Sequence, residues 1–313
     1  GIVQPPELLR LAEREDVESR WIARSRDRWD VRQGPFSRTA LERAPRRAWT
    51  LLVQGVNLHD ARADALLQQF SFLPHARLDD VMISYAVPGG GVGPHLDSYD
   101  VFLLQNTGRR RWRIGPAKHT ALVPDAPLKL LRDFEPTEEW VLEPGDMLYL
   151  PPGYAHDGVA VDACSTCSIG FRAPSPRELG RALLARLEES LDERLDESGY
   201  RDAGVRPQPA GRIPATLTHF ARASARRLLP SQMEIDQALG EYLSEPKTLV
   251  SFSPPAAPLS ERRFLVAAAR RGLRLDAGTR LLYDRHGFYV NGETQRCASG
   301  SKTLREIADR GAL

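Results

Sequence analysis

The sequence has little of what several large classes of protein depend on. It contains only three cysteines in 313 residues, Cys164, Cys167 and Cys297, which is too few for a disulfide-based scaffold and typical of a reducing compartment. No stretch reaches the roughly 18 consecutive apolar residues of a membrane span, and the charge-rich N-terminal segment has no apolar signal core. The net charge is only +2, which gives no overall indication of nucleic-acid binding. We therefore expect a cytoplasmic protein with no membrane contact.

What is present is the composition of a globular protein. Hydrophobic residues make up 42% of the chain and charged residues 27%, enough apolar surface for a packed core. Domains usually contain about 100–200 residues, so a chain of this length accommodates one large domain and something smaller.

The first half of the chain has the pattern of an antiparallel β-protein. Gly, Pro, Asn and Asp separate short apolar runs, which favours a sandwich or barrel. The runs cover residues 48–56, 81–87, 100–105, 111–115, 140–142, 147–150 and 164–171. Residues 60–70 predict a helix capped by an aspartate. Residues 1–48 are interpreted as irregular, with short helical pieces.

The second half changes to helical patterns after residue 176. Leucines 179, 183, 184, 187 and 191 have helical spacing, and further helices are predicted at 214–229 and 231–244. A Pro/Ser-rich linker, "SFSPPAAPLS", precedes a predicted helix, hairpin and helix, the size of a small winged-helix-like module. We therefore predict a β-domain at 1–173, a helical region at 174–250 and a C-terminal module at 251–313.

One short motif predicts a metal site. If residues 95–105 form a strand, His95 and Asp97 point to the same face. His156, which follows "LPPG" at the start of another strand, is the best-placed third donor among the seven histidines. Two histidines and a carboxylate leave coordination positions open on Fe(II). An H-x-D triplet alone is weak evidence, but the strand context and the distal histidine strengthen it.

The strand "RRRWRIG" carries an unusual number of arginines. The open positions on such an iron can take dioxygen and a bidentate 2-oxo acid such as 2-oxoglutarate. The distal carboxylate of 2-oxoglutarate needs a cation in a buried pocket, and arginine binds carboxylates through two parallel hydrogen bonds. Alternation puts Arg110 and Trp112 on one face, and Arg109, Arg111 and Arg113 on the other. We expect most of these arginines to be solvated and at least one to point inward.

Two stretches, "YAVPGGGVGPHLDSYDVFLLQNTGRRRWRIG" and "EPGDMLYLPPGYAHDG", resemble the JmjC-type ribosomal oxygenases, in particular the bacterial arginyl hydroxylases of a large-subunit ribosomal protein. The resemblance implies an α+β protein: a double-stranded β-helix (a jelly roll of the cupin superfamily), then an all-α dimerisation region and a winged-helix-like module. It implies Fe(II) on His95, Asp97 and His156. It also implies 2-oxoglutarate held by Arg110 with help from Ser84, and dioxygen as the second cosubstrate.

The resemblance thus implies a 2-oxoglutarate-dependent dioxygenase, a protein arginine 3-hydroxylase. Two alternatives stay open: the same chemistry on a histidyl or methyl-lysyl target, and a non-catalytic cupin metal-binding module for ribosome assembly. Asp100 and Tyr99 are predicted substrate contacts. The alternative is that Asp100 is only a strand-end residue, with Tyr85 and Tyr154 as residues of the barrel wall.

Three further features have competing interpretations. The helical region predicts a homodimer or simple packing on the barrel. The C-terminal module predicts a ribosomal RNA contact or a structural role. Cys164 and Cys167 have C-x-x-C spacing, but they have opposite parity on a strand, and we interpret them as buried barrel residues.

Overall fold

The computed structural model describes residues 1–25, 28–45, 48–201, 209–296 and 301–312. The chain forms two compact units. The first comprises Gly1–Ala173 and Lys247–Gly278, and the second Pro174–Pro246 and Thr279–Leu313. The division into segments 1–173, 174–250 and 251–313 stays a prediction.

The strands are short and concentrated in the first unit. They are Ser19–Ser25 (β1), Arg28–Gln33 (β2), Trp49–Val53 (β3), Leu78–Ala86 (β4), Val101–Thr107 (β5), Arg110–Pro116 (β6), Glu138–Leu142 (β7), Met147–Leu150 (β8), Tyr154–Ala160 (β9), Cys164–Phe171 (β10), Leu281–Tyr283 (β11), Phe288–Val290 (β12) and Glu293–Gln295 (β13).

The helices lie mainly in the second unit. They are Pro5–Leu11 (α1), Arg38–Glu42 (α2), Ala61–Gln68 (α3), Pro176–Glu189 (α4), Leu191–Arg194 (α5), Ala215–Arg227 (α6), Gln232–Ser244 (α7), Glu261–Arg271 (α8) and Ser301–Arg310 (α9). None of the helices in the described ranges is long and apolar enough to cross a membrane.

Two antiparallel sheets make the first unit a jelly roll. The larger sheet has the order β2-β1-β3-β4-β10-β5-β8, and the smaller has the order β7-β6-β9. Residues 89–95 run along the free side of β9, where Gly89 and His95 donate backbone hydrogen bonds to Ala160 and His156. This added segment carries one of the predicted metal ligands. The predicted α+β fold class is confirmed.

Alternation along the strands separates two apolar layers. One face of the large sheet packs under α1 and α3, around the buried Leu8, Leu51, Ile83 and Phe171. The opposite face meets the small sheet through Val101, Leu103, Trp112, Ile114, Leu142 and Leu150. The candidate site lies in this second layer, between the sheets.

Local patterns predicted several elements correctly. Asp60 caps α3 as expected, accepting hydrogen bonds from the backbone N–H groups of Arg62 (2.8 Å) and Ala63 (3.4 Å). Cys164 and Cys167 are buried, unpaired residues of β10, which confirms their interpretation, while Cys297 lies outside the described residues. The helices predicted at 214–229 and 231–244 are α6 and α7.

The interpretation of residues 1–48 as irregular was wrong, because β1 and β2 form a hairpin there. Its sequence hides the apolar signal, since arginines alternate with the aromatic residues. The Arg32 guanidinium lies 5.0 Å from the centre of the Trp21 ring on the neighbouring strand, and Arg24 lies 5.4 Å from the Trp29 ring. Where charged side chains cover aromatic faces, the sequence lacks a clear apolar alternation and resembles that of a loop.

The second unit is built around α7. Arg186 and Arg194, near the end of α4 and in α5, form ion pairs with Glu241 and Glu234 of α7. The small sheet β11-β12-β13 packs on the same helix, where the Tyr289 ring covers Gly240. The predicted hairpin and final helix are present, and β13 adds a strand that the sequence did not predict.

The chain re-enters the first unit at Lys247, which lies in a buried ion cluster. The Lys247 ammonium contacts Asp80 at 2.8 Å and Asp79 at 3.1 Å, and the backbone N–H of Gly55 also donates to Asp80. Burial opposes the charge on Lys247, but the two carboxylates outweigh it and raise the pKa of Lys247. The Asp80 side chain is only 5% exposed, so loss of its cation leaves a buried charge.

We predict that Lys247→Ala lowers the free energy of unfolding of the barrel by about 3 kcal/mol, because removing one member of a buried pair leaves the other unpaired. Tryptophan fluorescence in a urea titration measures this change selectively, since all five tryptophans lie between residues 21 and 140. The control is Arg274→Ala, which removes an ion pair with Asp64 whose arginine side chain is 67% exposed. That control is expected to cost less than about 1 kcal/mol, and equal losses in the two variants would contradict the prediction.

Candidate metal centre

Three side chains from two parts of the chain converge between the sheets. His95, Asp97 and His156 have potential ligand atoms that all lie within 4.8 Å of one another. The carboxylate of Asp97 is 3.9 Å from Nε2 of His95 and 3.6 Å from Nε2 of His156. The two imidazole centres are 4.2 Å apart. The structure therefore brings together all three residues that the sequence predicted as ligands.

The route by which they meet differs from the prediction. The expected strand over 95–105 was wrong in its first part, since β5 begins at Val101. His95 pairs directly with His156 through two backbone hydrogen bonds of 3.0 and 3.1 Å. Asp97 lies in the following loop, and its carbonyl accepts a hydrogen bond from the backbone N–H of Gly153. A backbone bridge and a tethered loop thus place the donors that strand alternation was expected to align.

Backbone carbonyls fix the orientation of both imidazoles. Nδ1 of His95 lies 2.9 Å from the carbonyl of Gly93, and Nδ1 of His156 lies 3.1 Å from that of Tyr154. A carbonyl only accepts hydrogen bonds, so each Nδ1 must carry the proton. Nε2 of each ring is then the atom turned toward Asp97, which is the usual arrangement of histidines that bind a metal.

Burial keeps the inner histidine neutral. His156 is 2% exposed, and this burial, with the neighbouring His95, lowers the pKa of His156 to about 4. Its imidazole is therefore an unprotonated ligand at neutral pH. Two imidazoles and one carboxylate form the donor set that suits Fe(II) and leaves coordination positions open. The residues thus fit a divalent metal ion.

The glycine run before His95 allows an unusually close backbone approach. A Cβ on Gly91 would lie 2.4 Å from the carbonyl oxygen of Gly158 in β9. At Gly93, where φ is +78°, a Cβ would meet the side chains of Leu130 and Trp29 at 2.7 and 2.9 Å. The sequence offered "PGGGVG" as a visible clue, but the partner backbone could not be known before the fold.

A buried cation lies beside this centre. Arg110 is 4% exposed, and its Nη1 donates to the hydroxyl of Ser84 at 2.9 Å. Its Nε and Nη2 are buried without a hydrogen-bond partner, and no carboxylate in the described part of the chain forms an ion pair with it. A buried guanidinium with two free donors is matched to the carboxylate of a ligand.

The arginine just before β6 and the other arginines within it point away from this interior, as expected for a solvated face. Arg109 pairs with Asp162 at 2.9 Å, Arg113 pairs with Asp157, and Arg111 is exposed. The structure therefore agrees with the two faces that alternation predicted, and the inward one carries Arg110, the arginine that the family resemblance implied. Trp112 also points inward and lies 6.0 Å from the His156 ring, a neighbour that the sequence analysis placed on the Arg110 face without giving it a role.

The two predicted substrate contacts have different surroundings. Tyr99 is 39% exposed, and burial of its hydroxyl, with the nearby Asp97 charge, raises the pKa of Tyr99 and keeps it a neutral donor. Asp100 accepts hydrogen bonds from the hydroxyl of Tyr149 at 2.7 Å and from Arg77 at 3.0 Å. Both assignments stay predictions.

Comparison with known proteins covers nearly the whole chain. The sequence matches the JmjC domain family over residues 65–179 and the ROXA-like winged helix family over residues 227–312. It is 37% identical over 297 residues to the ribosomal protein uL16 3-hydroxylase of Escherichia coli K12, covering 93% of this chain and 78% of the relative. It is 38% identical over 179 residues to a probable ribosomal oxygenase of Haemophilus influenzae, covering 56% of this chain and 44% of that relative.

Solved structures agree with the sequence matches. The X-ray structure of E. coli YcfD is similar over 100% of this chain and 83% of its own, with a TM-score of 0.85 and 35% identity. A structure of YcfD, a ribosomal oxygenase, in complex with cobalt and 2-oxoglutarate gives a TM-score of 0.82 and 36% identity over the same shares.

We predict that Gly91→Ala weakens binding of Co(II), used as a stable surrogate for Fe(II), by at least about tenfold, because the new Cβ pushes residues 89–95 away from β9 and separates His95 from His156. Isothermal titration of the purified full chain measures the affinity. Gly170→Ala is the control, since the nearest atom to its Cβ would be Asp80 Oδ1 at an ordinary 3.8 Å. If Gly91→Ala bound Co(II) as tightly as Gly170→Ala, the proposed role of the close approach would be wrong.

Proposed function

The chain belongs to the JmjC-type ribosomal oxygenases, and we propose from this and from the site geometry that it hydroxylates an arginyl residue of a large-subunit ribosomal protein. It is an Fe(II)- and 2-oxoglutarate-dependent dioxygenase that uses molecular oxygen. His95, Asp97 and His156 would hold the iron. When bound, the iron and 2-oxoglutarate supply the oxidative decarboxylation that delivers one oxygen atom to an unactivated C–H bond.

The observation that carries this proposal is the unpaired guanidinium of Arg110. A structural metal site needs no second buried cation, and a buried charge without a counter-ion is strongly unfavourable. The dicarboxylate 2-oxoglutarate supplies that counter-ion: one end would chelate the metal, and the other would pair with Arg110 and Ser84. Arg110 thus argues against the alternative of a non-catalytic cupin module.

The chain's own residues contribute orientation and a dry interior. Arg110 and Ser84 would fix the distal carboxylate, while the Nδ1 hydrogen bonds of both histidines hold their Nε2 atoms toward Asp97. The surrounding layer of Leu103, Ile114 and Leu150 excludes water, which strengthens every electrostatic contact inside.

The activity of the E. coli relative and the residues at the mouth of the site both support the target. The E. coli relative is a uL16 3-hydroxylase, and this supports uL16, with hydroxylation at C3 of an arginine, as the substrate of this chain. Tyr99 is half exposed beside Asp97, where it can contact the incoming side chain. Asp100 is also proposed as a contact, and it would exchange Arg77 for the substrate guanidinium.

We predict that Arg110→Ala raises KM for 2-oxoglutarate about 100-fold, because two or more charge-assisted hydrogen bonds are lost. Succinate release in the presence of Fe(II) and a large-subunit protein substrate measures this effect. Arg110→Lys should recover part of it, and the control Arg111→Ala, an exposed residue on the opposite face of the same strand, should behave as wild type. Unchanged turnover in Arg110→Ala would show that the cosubstrate assignment is wrong.

Tandem mass spectrometry of the same reaction identifies the target. A gain of one oxygen atom on an arginyl residue of uL16 supports the proposal. Oxygen on a histidyl residue, or formaldehyde release from a methyl-lysyl peptide, would favour the alternative targets. Absence of succinate from wild-type protein with any ribosomal substrate would favour the non-catalytic module.

We propose that residues 174–250 form a homodimer interface, between an oxygenase domain at 1–173 and a winged-helix-like module at 251–313. Within the described residues, α6 makes only slight contact with any other helix or strand. A helix of this length is marginal in water by itself. Its Leu217 and Phe220 are 36% and 40% exposed, and Leu184 of α4 and Leu229 are 67% and 70% exposed. Burial against a second copy stabilises such a surface.

We predict that Phe220→Glu converts the dimer to a monomer, because it places a charge within the apolar stripe of α6. Light scattering coupled to size exclusion measures the mass of each species. Arg222→Glu is the control: it lies on the opposite side of α6 and changes the charge by two units, yet should leave the dimer intact. A monomeric wild-type protein, or equal dissociation of both variants, would contradict this interface.

Two further assignments are proposals with narrower support. The exposed helix α8 carries Arg262, Arg263, Arg270 and Arg271, which supports a contact of the C-terminal module with ribosomal RNA. Replacing all four by alanine should weaken binding to a ribosomal RNA fragment and reduce its salt dependence, and unchanged binding would exclude the contact. A ribosomal substrate also supports a cytoplasmic location.

A further inference from the structure

Trp112 has a buried polar group that the proposed function does not yet use. The residue is 5% exposed, and its indole N–H is buried with no hydrogen-bond partner in the described structure. An unsatisfied buried donor is costly, and native structures rarely contain one without a reason. The buried side chains of the same apolar cluster, Val101, Leu103, Ile114, Leu142 and Leu150, are aliphatic and offer no acceptor, and the partly buried Tyr154 packed against it makes no hydrogen bond with the indole.

The indole lies between the two ends of the proposed cosubstrate site. Its ring centre is 6.0 Å from the His156 ring and 5.8 Å from the guanidinium carbon of Arg110. A molecule that spans from the metal centre to Arg110 must therefore pass beside Trp112. Arg110 and Trp112 are two residues apart on β6 and share its inner face.

Gly158 sets the orientation of the ring. A Cβ on Gly158 would lie 2.6, 2.7 and 2.9 Å from Cζ3, Cη2 and Cε3 of Trp112, and such similar distances place it over the face of the six-membered ring. The indole therefore lies flat against the backbone of β9 at Gly158. Its N–H lies in the ring plane and so does not point at Gly158, and Arg110 nearby also has two donors without partners.

We propose that the indole N–H of Trp112 is a further cosubstrate-binding group, donating a hydrogen bond to the distal carboxylate of 2-oxoglutarate beside Arg110. This inference rests on the proposed function. A carboxylate has about four acceptor positions. Arg110 and the Ser84 hydroxyl leave at least one of them for Trp112. Three donors of fixed position would favour a diacid of this length over a shorter oxo acid.

Indole NMR of the wild-type full chain tests this without relying on turnover. Protein labelled with ¹⁵N at tryptophan and loaded with Zn(II) is titrated with 2-oxoglutarate, succinate and pyruvate. The Trp112 indole proton should move downfield with 2-oxoglutarate and with succinate, which both have the distal carboxylate, but not with pyruvate, which lacks it. The indole signal of Trp140, whose N–H donates a hydrogen bond to Glu138, should not shift. The Trp112 signal is assigned by elimination. Each of the four other tryptophans is replaced singly by phenylalanine, and the signal that persists in all four variants is that of Trp112; the replaced residues are Trp21, Trp29, Trp49 and Trp140.

Affinity gives an independent measurement. Trp112→Phe keeps an aromatic face for Arg110 but removes the N–H, and it should weaken 2-oxoglutarate binding to the Zn(II) protein about tenfold, with Zn(II) affinity unchanged. Trp140→Phe is the matched control, since Trp140 lies directly opposite on β7 and is 53% exposed. Neither affinity should change in that variant.

The outcomes distinguish a failure of the proposed function from a failure of the proposed role of Trp112. Failure of wild-type protein to bind 2-oxoglutarate would overturn the proposed function together with this inference. Normal binding with an unshifted Trp112 indole, or with equal affinity in Trp112→Phe, would overturn the inference alone. A Trp112 shift produced by pyruvate as strongly as by succinate would also overturn it, because the acceptor would then not be the distal carboxylate.

Discussion

The backbone pairing of residues 89–95 with β9 is the contact on which the candidate metal centre depends. His95 and His156 come from distant parts of the chain, and reciprocal hydrogen bonds between their own backbones hold them side by side. That pairing is possible only because the chain next to it has no side chain at Gly91, where the carbonyl of Gly158 occupies the space of a Cβ. The ligands therefore need no long-range side-chain network, since the sheet itself sets the distance between them.

Burial then determines the chemistry of the groups that the sheet brings together. The same low-dielectric interior that lowers the pKa of His156 makes the unpaired charge of Arg110 costly. One effect prepares a neutral ligand for a cation, and the other prepares a cation for an anion. A dianion that also chelates a metal satisfies both at once, which is why the two parts of the site are best understood as one binding unit.

Much of this site could be predicted from local sequence, and the failures have physical causes. The H-x-D triplet and the distal histidine followed from ligand chemistry, alternation divided the arginines in and just before β6 between two faces, and the family resemblance singled out Arg110. The β1–β2 hairpin was missed because arginines on its strands cover Trp21 and Trp29 and mask the apolar pattern. The position of Asp97 in a loop and the contact of Lys247 with Asp80 depend on tertiary packing, which no local pattern encodes.

The register of β6 against β9 links the candidate metal centre to the buried Arg110. Ile114 pairs with His156, and four residues earlier Arg110 pairs with Ala160, so the two functional groups lie at fixed positions along one ladder. A slip of one residue would turn Arg110 outward and Arg111 inward, since side chains alternate between faces. The Arg113–Asp157 ion pair lies one step from His156 on the outer face, and it would be broken by the same slip. The arginine-rich sequence of β6 therefore has two uses: it places one unpaired guanidinium inward, and an outward ion pair helps to keep it there.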